Sequence, residues 1–359
     1  MKFEVQHTKD HCPNVLKGFV LPGLPHPLLV PDQNPAWKKV RLGYDRIREE
    51  IKEIKPDVIL IYSTYWASVL GHQIQAQAEP EWTLVDEEWH DLGSIPYKLR
   101  VDTEFAKKYN QVCQSRGLHS RTVDYKGFPI DTGSVVGLKL INPDNQFPAC
   151  IVSSNVYSDR AETLVLGKAA AQALEESGKT AVVISITSLA NRYIEQIEPL
   201  EEERFRSRKD EEWSRKYLEF FEKGRLEDVS QLSRQFHREA RVTKKVVNFK
   251  PFWWLAAVMG ETNAYKGEII EFQPIHGTAA TLVGLTPTAQ PAPDLEFDED
   301  NSENYSGDRG VLSGSNRNLS DLAPSSDDGK LENQGKSNLM KDREGMSSQS
   351  YTNIQDGPL

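Results

Sequence analysis

Residues 57–63, Asp57-Val58-Ile59-Leu60-Ile61-Tyr62-Ser63, restrict the fold of this chain more than any other stretch. A run of β-branched and aliphatic residues without polar alternation is apolar on both faces, so it suits a strand covered on both sides. The stretch before it has a different period. Trp37 to Ile54 carries Val40, Tyr44, Ile47 and Ile51 at three- and four-residue spacing, the pattern of an amphipathic helix. Ahead of that helix, Phe19-Val20-Leu21-Pro22 reads as a short strand entering a proline-rich loop (Pro22, Pro25, Pro27, Pro31, Pro35). A strand, loop, helix and strand in this order favour a parallel crossover.

The pattern returns further on. Ala149 to Ser153 is a predicted strand, Leu164 to Ser177 a helix closed by Gly178, and Thr180 to Ile186 another strand. Asp210 to Lys223 and Leu226 to Arg241 read as surface helices laced with opposite charges. Glu201 to Lys209 reads as a solvated face leading into the first of them. Phe249 to Met259 is an aromatic-rich helix, buried or at an interface, and Glu268 to Gln273 is a final strand running into His276-Gly277. The predicted fold class is α/β: a single domain over residues 1–286, around a mixed, largely parallel β-sheet flanked by helices.

After residue 286 the composition changes. Pro287, Pro291 and Pro293 lead into an acidic, low-complexity tail over 287–359. Such a segment buries too little apolar surface to offset its chain entropy, which predicts disorder. Of the chain's net charge of -10, about eight negatives lie between Asp294 and Asp356, so the predicted domain is nearly balanced. That balance argues against a nucleic-acid binder or a protein held on an anionic membrane. No apolar run approaches the roughly 18 residues of a membrane span. The residues after Met1 show no secretory pattern, and Cys12, Cys113 and Cys150 form no CxxC. Reduced thiols and a cytoplasmic location are the expectation.

Familiar catalytic signatures are missing. There is no GxGxxG or GxxxxGK[ST] phosphate loop, no GxSxG elbow, and no HExxH or paired-cysteine zinc motif. What remains gathers at predicted strand ends: Pro22-Gly23-Leu24-Pro25-His26, Ser63-Thr64-Tyr65-Trp66, Gly71-His72 and Ser188-Leu189-Ala190-Asn191-Arg192. Two longer strings accompany them, Val85-Asp86-Glu87-Glu88-Trp89-His90 and Val123 through Gly133 (VDYKGFPIDTG). On these residues, from about Gly18 to Gly284, the chain resembles the class III extradiol ring-cleavage dioxygenases (LigB-like). Within that family it is most similar to the non-catalytic α subunits of the 2-aminophenol-cleaving branch.

The resemblance implies an α/β domain that, in active members, holds Fe(II) by two histidines and a carboxylate, with a further histidine as acid and base. It also implies which residues stand at those positions here. Gly23 takes the place of the first metal histidine and Tyr65 that of the second, while His26 matches a neighbouring, non-ligating histidine. Asn191 replaces the acid–base histidine. A neutral phenol, with a pKa near 10, is a poor ligand for Fe(II), and an amide does not titrate near neutrality. The carboxylate is expected shortly before Trp253-Trp254, yet Thr243 to Pro251 contains no acid. Trp66 and His72 would lie near the vacated pocket.

The leading expectation is therefore a non-catalytic α-type subunit or degenerate homologue, with no catalytic residue, no metal and no cofactor of its own. Its partner would be a homologous catalytic chain in a hetero-oligomer, or a second copy in a homodimer. Two other readings stay open. One is an active Fe(II) dioxygenase with a rearranged site built from His26, His72 and Glu261 or Glu271. The other is a stand-alone binding protein for a small aromatic ligand or a partner chain, with Tyr65, Trp66 and Asn191 in its pocket. For His26, His72 and His276 the plainer reading is structural, and for His90 a turn cap or a partner contact.

Overall fold

The computed structural model describes residues 12–190, 194, 202–226, 250–260 and 264–290. All of them belong to one of two compact units, Met1–Asp308, and the other unit, Arg309–Leu359, lies wholly outside the described residues. Asn191, most of the predicted helix 226–241 and the acidic tail from 291 onward also lie outside them.

The unit is built on an eight-stranded sheet. Its strands are β1 (Val15–Leu21), β2 (Val58–Ser68), β3 (His72–Gln75), β6 (Ser120–Val123), β7 (Ala149–Asn155), β8 (Ala181–Ile186), β9 (Tyr265–Ile275) and β10 (Thr278–Pro287). They run in the order β6-β3-β7-β2-β8-β1-β10-β9. The centre β7-β2-β8-β1 is parallel throughout. Antiparallel pairing joins β10 to β1, β9 to β10 and β3 to β7. The sheet is thus mixed and largely parallel, as the sequence predicts. A separate antiparallel pair, β4 (Glu81–Val85) with β5 (Ser94–Lys98), stands apart from it.

Helices cover both faces of the sheet. Val58, Leu60 and Tyr62 of β2 pack with α3 (Thr103–Ser115), α5 (Arg160–Ser177), α6 (Arg208–Glu222) and α7 (Lys250–Met259). Ile59 and Ile61, on the alternate face, pack with α2 (Pro35–Ile54) and α4 (Thr132–Ile141). A short helical turn, α1 (His26–Leu29), precedes α2. The period of two in β2 sends successive side chains into two different cores, which is why its apolar run is unbroken.

Local signals set the boundaries. Asn34 caps α2 by accepting the Ala36 N–H at 2.8 Å, with Pro35 at the first helical position. At the other end of α5, Gly178 adopts φ 65°, where a side chain would be strained. Helix α7 is a core element: Phe252 and Trp254 are fully buried, while Trp253 is only partly so. Cys12, Cys113 and Cys150 are buried free thiols.

The structure departs from the sequence reading in several places. Strand β2 does not end at Tyr62 but continues to Ser68, with its register to β7 slipping between Ser63 and Ala67. Thr64, Tyr65 and Trp66 therefore form a bulge, not a strand terminus. The sequence reading ends the sheet with the strand Glu268 to Gln273, yet Thr278–Pro287 beyond the glycine turn forms β10, which is almost wholly buried and pairs along its length with β9. Its threonines, alanines and glycine hide the usual strand composition. Glu203, placed on a solvated face by its neighbours' charge, is turned inward. It accepts the Trp37 Nε1–H at 2.7 Å and the His276 N–H at 2.7–2.8 Å.

Candidate functional site

The C-terminal ends of β1 and β8 meet β2 at Ser63, just before its bulge. Leu21 pairs with Ile186, and Ile186 pairs with Ser63. The chain leaving each end is pinned to its neighbour: Thr64 Oγ1 donates to the Ile186 carbonyl at 3.1 Å, and Thr187 N donates to the Leu21 carbonyl at 2.9 Å. Such an edge is where open α/β sheets place their sites. It brings Gly23, two residues beyond β1, to the bulge that carries Tyr65.

The contact between them is close. A Cβ on Gly23 would fall 2.4 Å from Tyr65 Cε2 and 2.8 Å from Cζ. Gly133, in the first turn of α4, faces the same ring, with a Cβ there falling 2.5 Å from Cδ2. The phenol ring thus lies against two backbones that carry no side chain. Tyr44, whose hydroxyl donates to the Pro22 carbonyl, fixes the loop before Gly23 from below.

Asp131 ties the bulge to α4. Its Oδ1 accepts the Ser63 hydroxyl at 2.6 Å and the Ser134 N–H at 2.9 Å, the second bond capping the helix. Ser63 Oγ in turn accepts the Tyr65 N–H at 3.2 Å. Asp131 Oδ2 is shut off from solvent and accepts no hydrogen bond. Burial pushes the Asp131 carboxyl above its ordinary pKa, against the lowering effect of those donors.

Beside Tyr65 opens a cavity of about 660 Å³, walled by Trp66, Trp89, Phe128, Asp131 and the acidic run 86–88. The strings 85–90 and 123–133, which carry the family resemblance in the sequence, supply most of this wall. Asp131 and Gly133 were not singled out as site residues. The mixture of acids and aromatics in those strings was the available signal.

The predicted site residues divide into groups. Gly23, Tyr65 and Trp66 converge, and Tyr65 and Trp66 line the cavity. His26 is buried beneath it in a run of edge-on rings: Trp37 at 4.7 Å, Trp89 at 4.6 Å, and then His276 at 4.6 Å from Trp89. Burial, and then the charge of His276, push the His26 imidazole down to about 3, so it is neutral at physiological pH. His72 does not join the group. It sits on β3, fully buried, with Nε2 3.0 Å from Glu162 at the start of α5, and takes no part in lining the cavity. His90 is exposed, 3.2 Å from Asp91.

Asn191 lies outside the described residues. The chain just before it is held against β10, with Leu189 N donating to the Ala279 carbonyl at 3.1 Å and Ala279 N donating to the Ala190 carbonyl at 2.9 Å. Of the rearranged set, Glu261 is also outside them, and Glu271 accepts from Gln273 on its own strand at 2.8 Å. No three histidine, cysteine or acidic side chains converge as a metal would require among the described residues. No helix among them is long and apolar enough to cross a membrane.

The profile of the family described as the catalytic LigB subunit of aromatic ring-opening dioxygenase matches residues 20–283, and the chain belongs to that family. Among curated relatives, the 2-aminophenol 1,6-dioxygenase alpha subunit of a Pseudomonas species is 29% identical over 272 residues, covering 75% of this chain and 98% of the relative. The beta subunit of an enzyme of the same name, also from Pseudomonas, is 28% identical over 289 residues, covering 75% of this chain and 93% of its own. Among solved structures, the uncharacterized protein JW3007 from Escherichia coli K12 shares the fold with a TM-score of 0.53 at 13% identity, over 75% of this chain and 99% of that one.

Proposed function

We propose that this chain is a non-catalytic, α-type subunit of a LigB-family ring-cleavage dioxygenase, which has lost its own iron site and serves assembly. The observation that carries the reading is the contact of Tyr65 with Gly23. The two positions that the family resemblance gives to metal histidines hold a residue with no donor and a phenol ring packed on it. These residues do not fit Fe(II): a histidine at 23 has no room while the tyrosine ring is in place, and a neutral phenol binds Fe(II) poorly. No reaction step is therefore assigned to this chain.

The similarity to both subunits of a relative whose name records an alpha and a beta subunit supports a partnership with a homologous chain. In this reading residues 1–286 form the assembly-competent domain in the cytoplasm, and residues 287–359 are a separate acidic tail. Trypsin should then remove the tail well before it cuts the domain.

The test is iron content and activity of the purified full chain, alone and after co-expression with a histidine-complete homologue from the same cell. Alone, it should hold no stoichiometric iron and open neither catechol nor 2-aminophenol. Together, the two chains should co-purify. About one equivalent of Fe(II) in the isolated chain, with ring opening, overturns the reading.

A further inference from the structure

The cavity beside Tyr65 has a chemistry that an assembly role leaves unused. Four carboxylates line it, those of Asp86, Glu87, Glu88 and Asp131, and no lysine, arginine or histidine does so among the described residues. The nearest basic side chain on the run, His90, is directed to Asp91 instead. Asp131 joins this wall with an Oδ2 that has neither a hydrogen-bond partner nor contact with solvent, so its charge is balanced by no neighbour at that oxygen. The rest of the wall is aromatic. Trp66, Trp89 and Phe128 are only partly buried, and Trp66 and Phe128 stand 5.8 Å apart at 53°.

Carboxylates and aromatic faces attract the same guest. A cation gains from the ring quadrupole and from the negative charges together, whereas an anion is repelled and a neutral molecule leaves the charges uncompensated. The volume, about 660 Å³, suits a small molecule. We propose that this cavity binds a small organic ammonium ion, with its charged head toward the carboxylates and its apolar body against Trp66 and Phe128. The raised pKa of Asp131 fits this, because a cationic neighbour would relieve the cost of burying its charge. The proposal concerns the cavity and not the metal positions, so ligand binding and iron content can fail separately.

Calorimetric titration of the full chain with three probes of one shape tests it: phenethylammonium, 2-phenylethanol and phenylacetate. The ammonium should bind about tenfold or more tightly than the alcohol, and phenylacetate should not bind. Asp131→Asn keeps an oxygen for the helix cap while removing the charge. It should weaken the ammonium about tenfold and leave the alcohol unchanged. Should that variant not fold, Glu87→Gln with Glu88→Gln, on the exposed run, should weaken only the ammonium. Equal binding of ammonium and alcohol, no binding of any probe, or ammonium binding that survives every carboxylate variant that folds overturns the proposal.

Discussion

Gly23 and Tyr65 share one volume: a Cβ on residue 23 would stand 2.4 Å from the tyrosine's Cε2, nearer than real carbon atoms approach. Gly23 is not among the residues with positive φ, so the backbone there would accept alanine. The Tyr65 ring and the Gly133 Cα, which would lie 2.8 Å from the same Cβ, forbid it together. The two positions that the family resemblance assigns to metal histidines are thus coupled, and neither changes freely without the other.

That coupling is measurable. Gly23→Ala should cost about 1–3 kcal/mol through overpacking. Tyr65→Ala should cost about 2–4 kcal/mol through the space it leaves. The double variant should lose less than the sum by about 1 kcal/mol, because the clash of the alanine with the ring is gone while its contact with the Gly133 Cα remains. Urea denaturation of the four proteins gives the cycle, and additive losses would show that the contact is not shared.

His26 should make the protein acid-sensitive. In the folded chain its imidazole is pushed down to about 3, by burial and then by His276, while in the unfolded chain it titrates near about 6.5. Between those values the unfolded state binds the proton and the folded state does not. The stability is therefore fully present above about pH 6.5 and is lost as pH falls toward 3, by a few kcal/mol in all. His26→Phe keeps a ring between Trp37 and Trp89 but cannot titrate. Its melting temperature should fall less steeply than that of the parent across this range, and parallel curves would refute the assignment.

Asp131 should discriminate sharply between two replacements. Alanine removes the acceptor for both Ser63 and Ser134 N–H, with an expected loss of about 1–3 kcal/mol. Asparagine restores the oxygen and should recover most of it. Thermal melts of both variants decide the matter, and equal losses would point to the charge in place of the cap.

The adjacent tryptophans should behave differently. Trp254 is fully buried, stacked on Tyr62 at 5.5 Å, with Nε1 donating to the Tyr109 hydroxyl at 3.2 Å. Trp254→Ala should cost about 3–5 kcal/mol in chemical denaturation. Trp253, only partly buried, should cost clearly less in the isolated chain. A Trp253→Ala loss as large as that of Trp254→Ala would show that both serve the core.

The layered α/β architecture was legible in the linear order of residues, because period and apolarity are local properties. Val58–Tyr62, Ala149–Ser153 and Thr180–Ile186 are apolar on both faces, and only a strand covered on both sides accommodates that. Trp37–Ile54 declared a helix by its spacing, and the resemblance to the family marked Gly23 and Tyr65 as positions of interest. Other elements carried no such mark. Strand β4 is largely exposed, so no alternation records it, and the small residues of β10 conceal a buried strand. The charge around Glu203 said solvent, while its contacts with Trp37 and His276 say interior. Likewise nothing in the sequence separates His72, which belongs to β3 and Glu162, from the residues of the Tyr65 cavity. Nor does it reveal that one phenol ring lies against both Gly23 and Gly133, whose backbones meet each other. Sequence alone determined what kind of sheet this chain builds and which residues stand where the family resemblance expects metal histidines. Only the tertiary structure decided what fills their place, because that depends on distant segments meeting at one sheet edge, where volume and charge are properties of the assembly of residues and not of any one stretch.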